Sequence, residues 1–377
     1  MKPRWAPLAT PFAALLALLP FAVLGAQVAE LPLHTQRLGD RVLLAWVGDA
    51  MQTIRVVALS TARGIVVIDT NLSRSADVRI RRAIEQTFDR KAIRYLVNTH
   101  FHHDHTCGNQ VYEDATVVAH RTVLEGMKSE LTGEGLVKQI EKFKGLQGSW
   151  EERARTAPAG SRESLFFREG AALATATIAE LQDGFRPTFP TVLFEKRLVL
   201  DMGDASVELY AVGGTHTPGD IMIFVPEEGL VAIGDMWPDH VLPYLPKAGT
   251  WDLAEILENW GRIVDGGRTI SHVNMSHSDM TLGVETFKEQ YRYLRARGQA
   301  AVHDRPRLPL LQGPVAEAPR REHPRQQRGG HLGADRGQVG PLVPPGPASP
   351  ATRRPAPPRL PTGIGITSFS ATPPPPR

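Results

Sequence analysis

The sequence predicts a layered protein in which β-strands and helices alternate, and three observations support this prediction. Successive apolar runs between residues 42 and 70 each have the length of a buried strand. Residues 74–88 carry apolar side chains at roughly helical spacing, with Ser73 placed to cap the helix. Another apolar run follows at 93–97. Strands followed by a helix and a further strand are the alternation from which α/β folds are built.

The rest of the chain continues this alternation up to about residue 297. Residues 121–182 are rich in Glu, Lys, Ala and Leu, which predicts a mostly helical insertion. The apolar run 165–167 is expected to interrupt its helical pattern, and the insertion is expected to overhang the functional site of the protein. Helical periodicity returns at 252–264 and 281–297. Further predicted strands cover residues 116–119, 192–194, 197–200, 207–212, 221–225, 230–233 and 269–275.

Composition and charge exclude some classes of protein. The chain has 377 residues, 42% of them hydrophobic, which is enough for a large core. Cys107 is the single cysteine, so no internal disulfide can form. The formal charge of +3 hides an asymmetry, because residues 301–377 carry +7 and residues 31–300 carry −5. The basic balance therefore belongs to the tail and does not indicate that the folded part binds nucleic acid.

The N-terminus has the pattern of a secretory signal. Lys2 and Arg4 precede an apolar stretch at 12–24, and small residues follow at 25–29. This pattern predicts a signal peptide over residues 1–29 and a periplasmic or secreted protein with no stable membrane partner. The alternative is an uncleaved membrane anchor, which the short apolar stretch and its prolines disfavour.

The composition changes again near residue 298. Eighteen of the 31 prolines lie in residues 301–377, no lysine follows Lys288, and apolar periodicity is lost. We therefore predict one folded domain over residues 30–297, followed by a disordered Pro/Arg-rich tail over 298–377.

A cluster of histidines follows the predicted strand 93–97. A metal ion resolves the cost of crowding imidazoles, because it binds them as neutral donors together with carboxylates. His103 falls between the donor positions and is expected to point away. The H-x-H-x-D-H pattern selects His100, His102, Asp104 and His105.

Three later donors each follow a different predicted strand: His216, Asp235 and His277. Strand ends that each present one metal-type side chain predict convergence at a shared edge of a sheet. Asp220 is interpreted as a turn residue, and His272 is a weaker ligand than His277 because it lies inside a strand. The remaining histidines are interpreted as structural or surface residues, with His240 near enough to Asp235 to line the pocket.

Together these motifs resemble the metallo-β-lactamase superfamily over roughly residues 40–297. The resemblance rests on the H-x-H-x-D-H pattern, on GGTHTPGD at 213–220, on IGDMW at 233–237, and on a histidine after one more strand. It implies an α+β four-layer αβ/βα sandwich, the metallo-β-lactamase fold. In that fold two sheets pack back to back, helices cover their outer faces, and the metals lie at one edge.

The resemblance also implies a role for each donor. His100, His102 and His216 would hold one ion, and Asp104, His105 and His277 the other. Asp235 would bridge the two ions. The chain departs from the family at the last motif, where the usual Pro-Gly-His-Gly is replaced by Asn-Met-Ser-His-Ser at 274–278.

Imidazole and carboxylate donors suit zinc, with two ions expected per chain, and they also suit iron or manganese. A hydroxide shared by two cations is a nucleophile at neutral pH because its pKa is strongly lowered. Asp104 is the predicted catalytic residue, since it can bind one metal and orient the hydroxide. Asp69, at the end of a predicted strand, is expected to hold a ligating imidazole in place.

The function predicted from these residues is an exported, dinuclear, metal-dependent hydrolase of a small-molecule ester, thioester or lactam. A zinc β-lactamase proper is one alternative. It is less favoured because zinc β-lactamases of the family usually have Cys or Ser where Asp235 stands. A persulfide-dioxygenase-like iron oxidoreductase and a non-catalytic metal-binding relative are further alternatives. The flavodiiron pattern is disfavoured because it has a glutamate where His102 stands, and RNA processing is disfavoured by export.

The composition of the tail leads to a test at the level of DNA. Out-of-frame GC-rich codons yield Arg, Pro, Gly and Ala but seldom Lys, so we hypothesise a reading-frame shift near codon 298. Resequencing that stretch is expected to show an altered frame. An intact frame would instead leave the disordered tail as the interpretation.

Overall fold

The structure is a computed structural model that describes residues 31–49, 53–212, 215–236, 253–277 and 283–303. The predicted signal peptide, the chain beyond residue 303 and His240 lie outside these residues. No helix among the described residues is long and apolar enough to cross a lipid bilayer.

Within the described residues, the first sheet has seven strands that lie side by side in sequence order. Its strands are β1 (Leu33–Arg37), β2 (Val42–Val47), β3 (Val56–Thr61), β4 (Gly64–Ile68), β5 (Ile93–Val97), β6 (Thr116–His120) and β7 (Val192–Phe194). Strands β1 to β4 pair antiparallel, whereas β4 to β7 pair parallel. Helix α1 (Arg74–Phe88) joins β4 to β5 as the crossover that a parallel pair requires, and the short helix α2 (His103–Thr106) follows β5. Strand β1 is mostly polar and mostly exposed, and its sequence pattern did not predict a strand.

The second sheet has five strands in the order β12-β11-β10-β9-β8. Its strands are β8 (Arg197–Asp201), β9 (Ser206–Ala211), β10 (Ile221–Val225), β11 (Leu230–Ala232) and β12 (His272–Asn274). Among these described strands, β11 and β12 pair parallel and the other neighbouring strands pair antiparallel. Helix α6 (Leu253–Val264) lies between them in the chain, and helix α7 (Val284–His303) follows β12. The last strand is shorter than the predicted 269–275, and the last helix extends beyond the predicted 281–297.

Three apolar layers hold the elements together. Residues such as Leu59 of the first sheet and Ile223 of the second form the layer between the sheets. Ile80 of α1 packs with others on the outer face of the first sheet. On the second sheet, Trp260 of α6 and Phe287 of α7 form the outer layer. Helix, sheet, sheet and helix therefore stack as the predicted four-layer αβ/βα sandwich.

The insertion between β6 and β7 is helical, as predicted, but its break is elsewhere. It consists of α3 (Arg121–Leu131), α4 (Gly133–Thr156) and α5 (Arg162–Gln182). The predicted interruption at 165–167 is wrong, because these residues lie within the first turns of α5. Ser161 caps that helix by accepting a hydrogen bond from the Ser164 N–H at 3.1 Å. The chain turns just before Ser161, where Pro158 and Gly160, with φ of 73°, end the preceding helix.

Asp77 of α1 is a buried carboxyl group that forms no ion pair with any residue that the structure describes. Its Oδ2 accepts a hydrogen bond from the Asn71 N–H at 2.9 Å, and its Oδ1 has no hydrogen-bond partner among the described residues. Burial raises the pKa of Asp77 well above its usual value, and the Asn71 hydrogen bond only partly opposes that effect. Because folding favours the protonated form, the carboxyl destabilises the fold increasingly as the pH rises above about 3.8.

We expect Asp77→Asn to raise the thermal midpoint at pH 7 by at least about 2 °C, with the gain shrinking towards pH 4. Thermal unfolding followed by circular dichroism across that pH range measures it. Asp114→Asn is the matched control, and it should lower the thermal midpoint at pH 7. Hydrogen bonds from Arg81 lower the pKa of Asp114, so the charged carboxylate stabilises the fold. A gain for Asp77→Asn that is independent of pH would contradict the prediction.

Candidate metal centre

The predicted donors lie where strands of both sheets end. The H-x-H-x-D-H residues follow β5, Asp235 follows β11, and His277 follows β12, while His216 lies in the turn between β9 and β10. Two backbone hydrogen bonds join these loops, from Ile221 N to Thr99 O at 3.1 Å and from Ser276 N to Gly234 O at 3.2 Å. The two sheets therefore present their donors at one shared edge.

The first group of donors consists of His100, His102, His216 and Asp235, whose ligand atoms all lie within 4.8 Å of one another. The Nδ1 atom of His102 lies 3.2 Å from His100 Nε2 and 3.0 Å from His216 Nε2. The Asp235 Oδ2 atom lies 3.9 Å from His100 Nε2 and 3.8 Å from His216 Nε2. Three imidazoles and one carboxylate oxygen thus surround a single point.

The second group consists of Asp104, His105, Asp235 and His277, again within 4.8 Å. His277 Nε2 lies 3.0 Å from Asp235 Oδ2 and 3.2 Å from Asp104 Oδ2. His105 Nε2 lies 3.3 Å from Asp235 Oδ2 and 4.0 Å from Asp104 Oδ2. Asp235 belongs to both groups, which places all seven predicted ligands in two sets that share one carboxylate.

The spacing and the bonding of these atoms both fit metal ions. Donors held tetrahedrally at about 2.1 Å from zinc lie about 3.4 Å apart, and the observed separations span that value. His105 Nε2 and Asp235 Oδ1 are buried and have no hydrogen-bond partner among the described residues. A cation would satisfy both atoms, since a buried polar atom without a partner is costly.

The two groups differ in their protonation. Burial, followed by the neighbouring His105, lowers the pKa of His100, while burial and His216 lower the pKa of His102 to about 4. Burial also acts to lower the pKa of His277, but the charges of Asp235 and Asp104 outweigh it and raise that pKa to about 10. His100 and His102 are therefore neutral donors in the first group, whereas a cation that binds His277 in the second group would replace a proton.

The buried carboxylate of Asp69 contacts three of the segments that form the centre. Its Oδ2 accepts hydrogen bonds from Thr99 Oγ1 at 2.7 Å and from Ser276 Oγ at 3.5 Å, and lies 3.0 Å from His105 Nδ1. The Thr99 N–H donates to Oδ1 at 2.7 Å. The contact with Nδ1 leaves Nε2 of His105 facing the other ligands, as expected for a carboxylate that orients a ligating imidazole.

The backbone of the histidine loop is fixed by amide and hydroxyl groups. The carbonyl oxygen of His105 accepts hydrogen bonds from Thr70 N at 3.1 Å, Thr70 Oγ1 at 2.9 Å and Asn98 Nδ2 at 3.0 Å. Asn98 and Asn109 also exchange amide hydrogen bonds at 2.9 and 3.1 Å. The loop therefore enters the site with little freedom before any ion binds.

Close packing constrains the loop that carries Asp235. Gly234 has a φ of 56°, and a Cβ at this position would lie 2.6 Å from Thr99 Oγ1. Glycine is required there both for the backbone conformation and for the approach of the two ligand loops.

Other polar residues lie outside the two donor groups. His103 is buried, and its ring lies edge-on to Phe143 of α4 with 4.9 Å between the ring centroids. The helical insertion therefore contacts the histidine loop.

Two further histidines of the described residues and the cysteine also lie outside the donor groups. His272 pairs with Leu230 at the start of two parallel strands, at the opposite end from the ligands. His120 lies 2.9 Å from the carbonyl oxygen of Glu195, and Cys107 is buried with a pKa that burial raises.

Some supporting residues were not predicted from the sequence. Thr99 lies next to the motif, and its position before His100 was the available signal, but its bonds to Asp69 depend on the fold. Ser276 replaces a glycine of the family motif, and its contact with Asp69 could not be read from that replacement. Asp220 was interpreted only as a turn residue, although its carboxylate organises the His216 turn.

The chain matches a family profile described as the metallo-beta-lactamase superfamily over residues 53–273. This match covers more than half of the chain, and it includes the donors from His100 to Asp235. The protein is therefore a member of the metallo-β-lactamase superfamily, as its motifs predicted. No curated protein matches the chain.

Several solved structures are similar in fold. A metallo-beta-lactamase from Pontibacter korlensis is 15% identical with a TM-score of 0.43, over 69% of this chain and 99% of that one. A metallo-beta-lactamase family protein from Thermus thermophilus is 17% identical with a TM-score of 0.43, over 67% and 77%. A metallo beta lactamase from Hirschia baltica is 13% identical with a TM-score of 0.44, over 70% of this chain and 97% of that one.

We expect His102→Ala to lower turnover at least about 100-fold and to leave the far-ultraviolet circular dichroism of the protein unchanged. The side chain supplies a donor but lies outside the apolar layers, so its loss removes chemistry rather than packing. Metal analysis and a hydrolysis assay on the same sample measure both effects. His34→Ala is the control, since His34 stacks on Trp46 and belongs to neither donor group. Full turnover in His102→Ala would refute the ligand assignment.

Proposed function

We propose that this protein is a dinuclear metal-dependent hydrolase, with zinc as the expected metal and an ester, thioester or lactam as its substrate. The observation that carries the proposal is the pair of donor groups that share Asp235. A shared carboxylate holds two cations close together, which is the arrangement for activating water between them.

The residues divide the work between binding and orientation. His100, His102 and His216 would hold one ion, Asp104, His105 and His277 the other, and Asp235 both. When bound, such a pair of cations supplies water of lowered pKa and polarises a carbonyl group. Asp104 is largely buried at the second group, with its Oδ2 atom 3.2 Å from His277 Nε2, and we assign it the additional role of orienting the attacking water.

The chemistry of Asp235 favours one part of the substrate range. A carboxylate in both donor groups would supply negative charge to each ion. Since zinc β-lactamases of the family usually have Cys or Ser at this position, we favour esters and thioesters, including lactones, over β-lactams as the substrate class. Since the basic residues concentrate in the tail, a small-molecule substrate also agrees better with the folded part than nucleic acid does.

We also propose that the protein is exported to the periplasm or secreted. The proposal is supported by the basic start, the apolar stretch and the small residues within residues 1–29. An exported protein without a disulfide would depend on its core and its metal ions for stability.

The decisive experiment combines metal analysis of the purified chain with a panel of ester, thioester, lactone and β-lactam substrates. We expect about two zinc ions per chain and hydrolysis of an ester or thioester, lost on treatment with a chelator and restored by zinc. About one iron per chain with persulfide oxidation would indicate an oxidoreductase instead. Bound metal without turnover on any substrate would indicate a non-catalytic relative.

A further inference from the structure

The turn that carries His216 is built around one buried carboxylate. Asp220 is 3% exposed, and its two oxygens accept hydrogen bonds from the Thr217 N–H at 2.9 and 2.8 Å and from Thr217 Oγ1 at 2.6 Å. Its Oδ2 also accepts from Thr215 Oγ1 at 2.9 Å and from the N–H of His216 itself. Among the described residues, every hydrogen bond of this carboxylate is therefore with the three residues centred on His216.

The same residue is anchored on both sides by the backbone. The carbonyl oxygen of Asp220 accepts a hydrogen bond from Val212 N at 3.0 Å, which closes the turn at the end of β9. The next residue, Ile221, donates its N–H to Thr99 O at 3.1 Å, beside the H-x-H-x-D-H motif. The carboxylate thus connects the backbone of His216 to the strand end and to the loop that bears His100 and His102.

None of these contacts reaches the second donor group. His105 is oriented by Asp69, and the loop before His277 is tied to Asp69 and Gly234 through Ser276. Because the two groups share only Asp235, a change confined to the His216 turn acts on one group first.

We propose that Asp220 is a positioning residue that sets the affinity of the His100, His102 and His216 group for its cation, independently of the second group. In its absence the N–H groups of His216 and Thr217 lose a buried acceptor, and the imidazole of His216 loses its fixed place opposite His102. Groups that support a ligand in this way change metal affinity by roughly 10–100-fold. The inference rests on the metal centre of the proposed function but not on hydrolysis, since binding is measured directly.

The test is a titration of the full chain with zinc alone, followed by the imidazole nitrogen chemical shifts of His216 and His277 in long-range proton–nitrogen NMR spectra. A nitrogen that binds zinc changes its shift whether the free imidazole was neutral or protonated, so the zinc concentration for half of the change is obtained separately for His216 and His277. In Asp220→Ala we expect the value for His216 to rise at least about tenfold and the value for His277 to change less than about twofold. Asp220→Asn, which keeps one acceptor oxygen, should show a smaller rise for His216.

Thr177→Val is the matched control, because it removes a buried hydroxyl that bonds only the carbonyl of Leu173 at 2.8 Å within α5. It should leave both zinc concentrations unchanged.

A lower thermal midpoint in Asp220→Ala with both zinc concentrations unchanged, or with both changed equally, would show a merely structural role and overturn the proposal. Should Asp220→Ala fail to fold, the same zinc titration of Thr217→Val tests the proposal, because this variant removes one hydrogen bond to the carboxylate. A rise confined to His216 supports the proposal, and identical values in Thr217→Val and wild type overturn it.

Discussion

The carboxylate of Asp69 is the contact on which the geometry of the centre depends most. It lies at the end of β4, is 1% exposed, and has a φ of 59°, a left-handed conformation that aspartate tolerates better than most residues. From that position it reaches Thr99 after β5, His105 in the short helix that follows, and Ser276 after β12. Donor loops from two different sheets are thereby held in a fixed relation.

Much of the fold was predictable because its strands are short, apolar and regularly followed by turn or ligand residues. The strand β4, buried in the middle of the first sheet, reads as a continuous apolar run, as strands with both faces covered do, and in β5 only the exposed Arg94 and the half-buried Tyr95 interrupt that pattern. The convergence of His216, Asp235 and His277 was predictable for a related reason, since the ends of neighbouring strands meet at one edge of a sheet. Whether each donor holds an ion stays a prediction until metal is measured.

Other features could not be predicted because they depend on contacts distant in sequence. β1 is mostly exposed and carries no apolar alternation, so only its pairing with β2 defines it as a strand. Residues 165–167 read as a break in a helix, yet Phe167 packs against Trp150 of the neighbouring helix while Leu165 is exposed. The role of Asp220 depends on the conformation of the turn that encloses its carboxylate.

The sharing of Asp235 between donors of both sheets has a consequence for folding. His100 and His277 are separated by most of the domain in sequence, so neither half of the chain alone contains a complete binding site. A cation bound at this centre would bind the assembled sandwich and not its separate halves, and it would draw the folding equilibrium towards the native state by mass action. Metal supply during biogenesis would then determine how much native protein accumulates.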